Sequence, residues 1–124
     1  MNDKKLDVTE LVGKTIVAYT VTKYAINLHF LHGDTGSIDI EDEGCGTGND
    51  SHVSFGRINL DKISGQKIIA ADDGDYDSNG GVLVLKAEDN VGLIEIFHEH
   101  NGYYGWAYAV NLNTSSYNEF NNDL

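Results

Sequence analysis

Apolar and polar residues alternate along much of this chain with a period of two, the pattern of strands with one buried face. Thr15–Val21 and Ala25–Leu31 read as strands; in the second, Ile26, Leu28 and Phe30 share one face, and Asn27 and His29 the other. His32-Gly33-Asp34 supplies turn residues before Gly36–Ile40, where Ile38 and Ile40 point inward, so the three strands predict an antiparallel meander. Gln66–Ala71 reads as a fourth strand, and Val82–Ala87, apolar on both faces, as a fifth near a sheet centre. Gly92–His98 and Tyr104–Leu112 flank Asn101-Gly102, residues that tolerate the positive φ angles of a type I′ turn, which predicts a long hairpin. In its last strand Trp106, Tyr108 and Val110 share one face, with Ala107 and Ala109 on the other.

Helical signals are short. Asp7 can cap a single turn ending at Gly13, and Ile58–Gly65 reads as a short helix with Ile58 or Leu60 and Ile63 inside and Gly65 as its stop. Asp42–Ser54 and Asp72–Gly80 read as loops. The expected fold is mainly β: a single antiparallel sheet or small β-sandwich of about seven strands with one or two short helices. Residues 1–112 form one β-rich domain, and 113–124 a polar tail in which Tyr117 and Phe120 are available to dock. Leu11–Ile16 and Ile63–Ile68 share a pattern of aliphatic residue, glycine and isoleucine, either an internal duplication or one local solution used twice.

Charge narrows the function classes. Twenty acidic residues face eight basic ones, a net charge of −12, and Arg57 is the only arginine. A nucleic-acid binder needs a basic face against phosphates, and an anionic membrane surface needs the same, so neither is expected as a partner. No apolar run reaches the ~20 residues of a membrane span, the polar start lacks a secretory core, and Cys45 has no cysteine partner, which together predict a cytoplasmic protein.

The chain also resembles a family of small uncharacterised domains of phages and bacterial mobile elements. The likeness rests on the Leu-x-Gly-Lys-x-Ile opening at Leu11–Ile16, a second such glycine in Ile63-Ser64-Gly65, and the closing Asn101-Gly102-Tyr103-Tyr104. Family members carry adjacent cysteines in the central loop where this chain has Cys45 alone. The resemblance implies a viral or mobile-element origin and a host-cell location, and brings no activity with it.

Candidate chemistry is sparse. Asp75, Asp77 and Asn79 before Gly80 imitate the first half of a calcium loop, but Lys86 stands where the closing glutamate belongs. His98 and His100 share a strand face and are candidate zinc ligands with Cys45, His52 or a carboxylate completing the set, or simply surface histidines. Cys45 lies in an acidic stretch that blunts a thiol, and no nucleophile elbow or phosphate-cradling loop is present, so neither an enzyme nor a cofactor is expected. Tyr103, Tyr104, Trp106 and Tyr108 form an aromatic cluster that either fixes strand register or offers partner anchors.

The remaining feature is acidic. Asp39, Glu41, Asp42, Glu43 and Asp50 cluster in one segment and Asp72, Asp73, Asp75 and Asp77 in another, and on one edge they would imitate a phosphate row. The expectation is a non-catalytic acidic protein that uses these residues with Tyr103 and Tyr104 to block a basic, nucleic-acid-handling host protein, as an anti-defence inhibitor of the anti-CRISPR kind. The alternatives are a nucleotide-type ligand binder acting as a homo-oligomer, in which the glycine-rich loop with Tyr103, Tyr104 and Trp106 lines a pocket and Arg57 or Lys67 meets an anionic group, and a calcium-binding module.

Overall fold

The chain builds two antiparallel sheets that bury their apolar faces in one core. The computed structural model describes residues 6–42, 52–74, 76–77, 79–99 and 105–113. Nine strands occur among them: β1 Ile16–Val21, β2 Ala25–Phe30, β3 Thr35–Asp42, β4 His52–Asn59, β5 Ala70–Asp72, β6 Tyr76–Asp77, β7 Gly80–Lys86, β8 Val91–Glu99 and β9 Trp106–Leu112. The first sheet has the order β1-β2-β3-β9, and the second β4-β8-β7-β5 with β6 also on β7. The fold is mainly β, as the alternation predicts, with two sheets rather than one. In place of helices there are short 3-10 turns at Val8–Leu11, Leu31–Gly33 and Asp61–Ile63.

The meander forms as read: β2 places Ile26 opposite Ile38 and Leu28 opposite Gly36, and Ile26, Leu28, Phe30, Ile38 and Ile40 are all buried. The tight β2–β3 connection holds both His32 (φ 78°) and Gly33 (φ 91°) in the left-handed region that a primed turn requires. β7 lies inside the second sheet, as its two apolar faces suggest.

Three expectations are corrected. β8 and β9 do not pair as a hairpin: β8 lies between β4 and β7, and β9 lies beside β3, so the chain changes sheets between Glu99 and Trp106. The Asn-Gly signal reports a local backbone preference, whereas the partner of β9 is chosen by what lets Trp106 and Val110 enter the core. The Asn101-Gly102 turn lies outside the described residues, as do residues 114–124 of the tail.

The second correction is β4, which replaces the end of the supposed central loop and the start of the supposed helix. Val53 and Phe55 face inward with the expected period, but Gly56 and Arg57 together oppose Glu95, a bulge that delays the next inward residue to Ile58. The extra residue breaks the alternation and hides the strand. The third is Gln66–Ala71: only Ala70–Asp72 is strand, while Lys67 bridges to Thr15 in the other sheet.

That bridge reveals the plan of the fold. Gly13 N–H donates to the Ile68 carbonyl at 2.7 Å, and Gly65 N–H reciprocally to the Ile16 carbonyl at 2.9 Å. Each glycine sits at positive φ after a 3-10 turn. From each, the chain runs through three meandering strands, β1-β2-β3 and β5-β7-β8, then sends a fourth, β4 or β9, to the other half's sheet. Matching positions pack alike: Val8 with Leu60, Leu11 with Ile63 and Ile16 with Ile68 are all fully buried. Ile38 opposes Val110 of its borrowed strand as Ile94 opposes Ile58. The two similar sequence segments are therefore the openings of two repeated halves that exchange their last strands, with β6 added to the second. Each large aliphatic side chain buried this way stabilises the fold by about 1.5–3 kcal/mol relative to exposure.

Candidate functional site

The two acidic segments, distant in sequence, converge around β9. Asp42 ends β3 directly opposite Trp106. The Trp106 Nε1–H donates to the Asp77 carbonyl at 2.7 Å, and the Tyr76 ring meets the indole edge-on with centroids 5.5 Å apart. One turn of the ladder further, Tyr108 opposes Ile40, and its hydroxyl donates to Asp73 at 2.9 Å while accepting from Val8 N–H at 3.1 Å. Burial, then the Asp73 carboxylate, push this phenol well above the usual tyrosine range against the opposing Val8 N–H, so it is a neutral donor. His98, its side chain wholly buried, joins Asp42 at 3.1 Å across the two sheets. Asp42 and His98 occupy matching strand-end positions in the two halves.

Several acids have local work. Asp72 accepts from Gly74 N–H at 3.1 Å, and Asp77 from Asn79 N–H at 2.8 Å, both closing turns of the loop. Asp39 accepts from Ser37 at 3.1 Å and from the Asn111 side-chain amide. These carboxylates each hold a neighbouring backbone or side-chain donor. Glu41 stands on the outer face of β3, opposite Ala107, and Asp39 opposite Ala109. Between these acids, the two alanines floor a shallow depression of about 170 Å³ walled by Asn111. Nearby on the same face β2 shows Ala25, Asn27 and His29, none of them a Lys or Arg.

Of the alternative ligand set, Tyr103 and Tyr104 lie outside the described residues, and Lys67 and Trp106 lie apart. Lys67 pairs with Thr15 at the Leu112 end of the first sheet, and Trp106 lies at the other end of β9, about 20 Å away at the rise of a strand. Arg57 is in the β4 bulge, its backbone N–H bound to the Glu95 carboxylate at 3.0 Å. Trp106 is buried and bonded, so its ring is a core and register element rather than a stacking platform. His98 is likewise buried, not a surface histidine.

Strand parity also separates two of the proposed zinc ligands: His98 opposes inward Val53, whereas exposed His52 opposes outward Glu99. In the calcium reading, the Asp77 carboxylate caps the Asn79 backbone. Among the described residues, no three His, Cys, Asp or Glu side chains group closely enough to hold a metal ion. Glu43, Cys45, Asp75, His100, Tyr103 and Tyr104 lie outside the described residues. No helix among the described residues is long and apolar enough to cross a membrane.

Sequence reasoning missed the alanine floor as part of a surface and the Asp42–His98 link. The first was signalled by Ala107 and Ala109 facing away from Trp106, but the neighbour that makes them a depression, β3, is set by tertiary pairing. Comparison with known protein families, with curated proteins and with solved structures finds no match.

Proposed function

We propose that this chain is a non-catalytic binding protein that docks a basic surface of a partner protein onto the outer face of the first sheet, beside the acidic corner around β9. The observation that supports it is the depression floored by Ala107 and Ala109 between Asp39 and Glu41 on the outer face of the first sheet. Small floor residues admit a lysine or arginine stem, and the flanking carboxylates meet its head group. A net charge of −12 steers such a partner before contact. The narrower reading, inhibition of a nucleic-acid-handling host protein by a phage or mobile-element product, rests on this charge and on the motif resemblance at Leu11–Ile16 and Asn101–Tyr104.

The test needs no known partner. Titration of the full chain with a hexalysine peptide, followed by amide chemical shifts, is expected to move Glu41, Ala107 and Ala109 first, with the response lost at high salt. Glu41→Lys is expected to abolish it. Shifts spread evenly over all acidic positions, or unchanged by Glu41→Lys, would refute the site.

A further inference from the structure

We propose that the hollow where the two halves meet, between Lys14 and Lys67, binds a small organic anion: a phosphate or carboxylate head with an apolar body. The Thr15–Lys67 bridge brings the openings of both halves to one corner, at the end of the first sheet away from Trp106. There a depression of about 370 Å³ is lined by Lys14, Thr15, Leu31, His32, Asp34 and Lys67. That volume lies in the range of small-molecule sites. Lys67 thus meets an anion beside Lys14 and His32 rather than beside Arg57 and Trp106.

The cations of this hollow are not spent inside the chain. Eight basic residues stand against twenty acidic ones. Yet among the described residues neither Lys14 nor Lys67 makes an ion pair, not even with Asp34 of the same wall. The Lys14 ammonium is held instead over the Phe30 ring, 5.2 Å from its centroid. Leu31, 49% exposed, supplies an apolar flank for the body of a ligand. Glu88 and Asp89 line the adjoining depression, which Lys67 also borders, but not this one. The acidic corner at Trp106 is about 20 Å away, more than two Debye lengths of ~8 Å at physiological salt. A nucleic acid reaches beyond the hollow and meets those acids, so the occupant that fits is a small anion held by two lysines at short range.

The second half builds the same corner without these features. Gly13 answers to Gly65, Lys14 to Gln66 and Thr15 to Lys67. Phe30 N–H donates to the Asp34 carbonyl at 2.9 Å as Ala87 N–H does to that of Asn90 at 2.8 Å. Leu31-His32-Gly33 therefore answers to the shorter Glu88-Asp89. The corner closes there with no lysine at the position of Lys14 and no histidine at positive φ. His32, at φ 78°, is the only non-glycine so placed among the described residues. A side chain held in a sparsely populated conformation where a shorter turn serves is the kind of outlier that gathers at ligand sites.

The test follows amide chemical shifts of the full chain, at constant ionic strength, during titration with phenyl phosphate and with benzoate. Saturable shifts are expected at Lys14, Thr15, Leu31 and His32, with a Kd of about 1 mM for the better of the two, which identifies the head group. Phenol, the body without the anion, is expected not to saturate. Inorganic phosphate and acetate, heads without the body, are expected to bind about tenfold more weakly. Lys14→Gln and Lys67→Thr each take the matching residue of the other half, which keeps the fold, and each is expected to weaken binding about tenfold. Lys23→Gln, on a lysine that lies over Tyr24 outside the hollow, is expected to leave it unchanged. His32→Gly relaxes the backbone, so it is expected to raise Tm while weakening binding about threefold. Neither lysine variant is expected to alter the response of Glu41 to hexalysine, so this site and the basic-partner site fail separately. Shifts that do not saturate with either anion, or a loss no larger in Lys14→Gln and Lys67→Thr than in Lys23→Gln, would overturn the proposal.

Discussion

Tyr108→Phe isolates the hydrogen bonds that tie the acidic loop to β9. The hydroxyl serves two partners, Asp73 at 2.9 Å and Val8 N–H at 3.1 Å. Val8 is 0% exposed, so its N–H loses its partner in a place water does not easily reach. An orphaned buried donor costs about 1–3 kcal/mol, and a hydrogen bond to a carboxylate is worth about 1.5–3 kcal/mol. Asp73 is only half-buried and recovers part of its loss from water, so the expected destabilisation is about 2–3 kcal/mol. For a chain of this size that lowers Tm by roughly 10 °C. Urea denaturation of Tyr108→Phe, Asp73→Ala and the double variant should show a coupling of about 1–2 kcal/mol between the two positions. The phenol also sets an alkaline limit. Its folded pKa lies above the ordinary 10.0, so its contribution is complete below pH 10 and is lost as pH rises beyond it, where the unfolded tyrosine ionises first. Tyr19, raised by burial and then by Asp61, acts in the same direction, so Tyr108→Phe should flatten the decline without abolishing it. A loss under about 0.5 kcal/mol, or an unchanged alkaline slope, would show that this hydroxyl does not fasten the loop.

Two glycines in similar backbone conformations should respond very differently to alanine. At Gly13 (φ +95°) a Cβ meets open space, so only the backbone term of about 1 kcal/mol is expected; at Gly80 (φ +128°) it would lie 2.1 Å from the Ile96 carbonyl, and the loss should be at least twice as large by thermal melting. His98→Ala removes a wholly buried ring and its bond to Asp42 and should cost about 2–4 kcal/mol in chemical denaturation, whereas a variant within 0.5 kcal/mol of the parent would mean that the two sheets are not fastened there.

The strands that were legible are those whose inward residues keep strict period two and pair with a sequence neighbour. Ile26, Leu28 and Phe30 against Ile38 and Ile40 meet both conditions. β4 failed the first, because Gly56 and Arg57 occupy one rung and shift Ile58 out of phase with Val53. β9 failed the second: its faces were read correctly from Trp106, Tyr108 and Val110, but its partner lies far upstream in β3. The same split governs the site. Composition exposed the acids, and Asp7 capping Thr9 N–H at 3.0 Å was readable from local spacing. That Asp73 binds a tyrosine hydroxyl and Asp42 a buried histidine depends on contacts between residues far apart in the chain, and no local pattern encodes them. The likeness of Leu11–Ile16 to Ile63–Ile68 was visible; the reciprocal bonding of their glycines and isoleucines was not.

Because each half lends its final strand to the other, no stretch of this protein is a detachable module. A fragment ending at Asn59 keeps β4 but loses the strand β4 was made for, leaving Val53, Phe55 and Ile58 along an unpaired edge. The partner that β4 lacks, β8, lies in the second half, just as β3, the partner of β9, lies in the first, so neither sheet is whole without both halves of the chain.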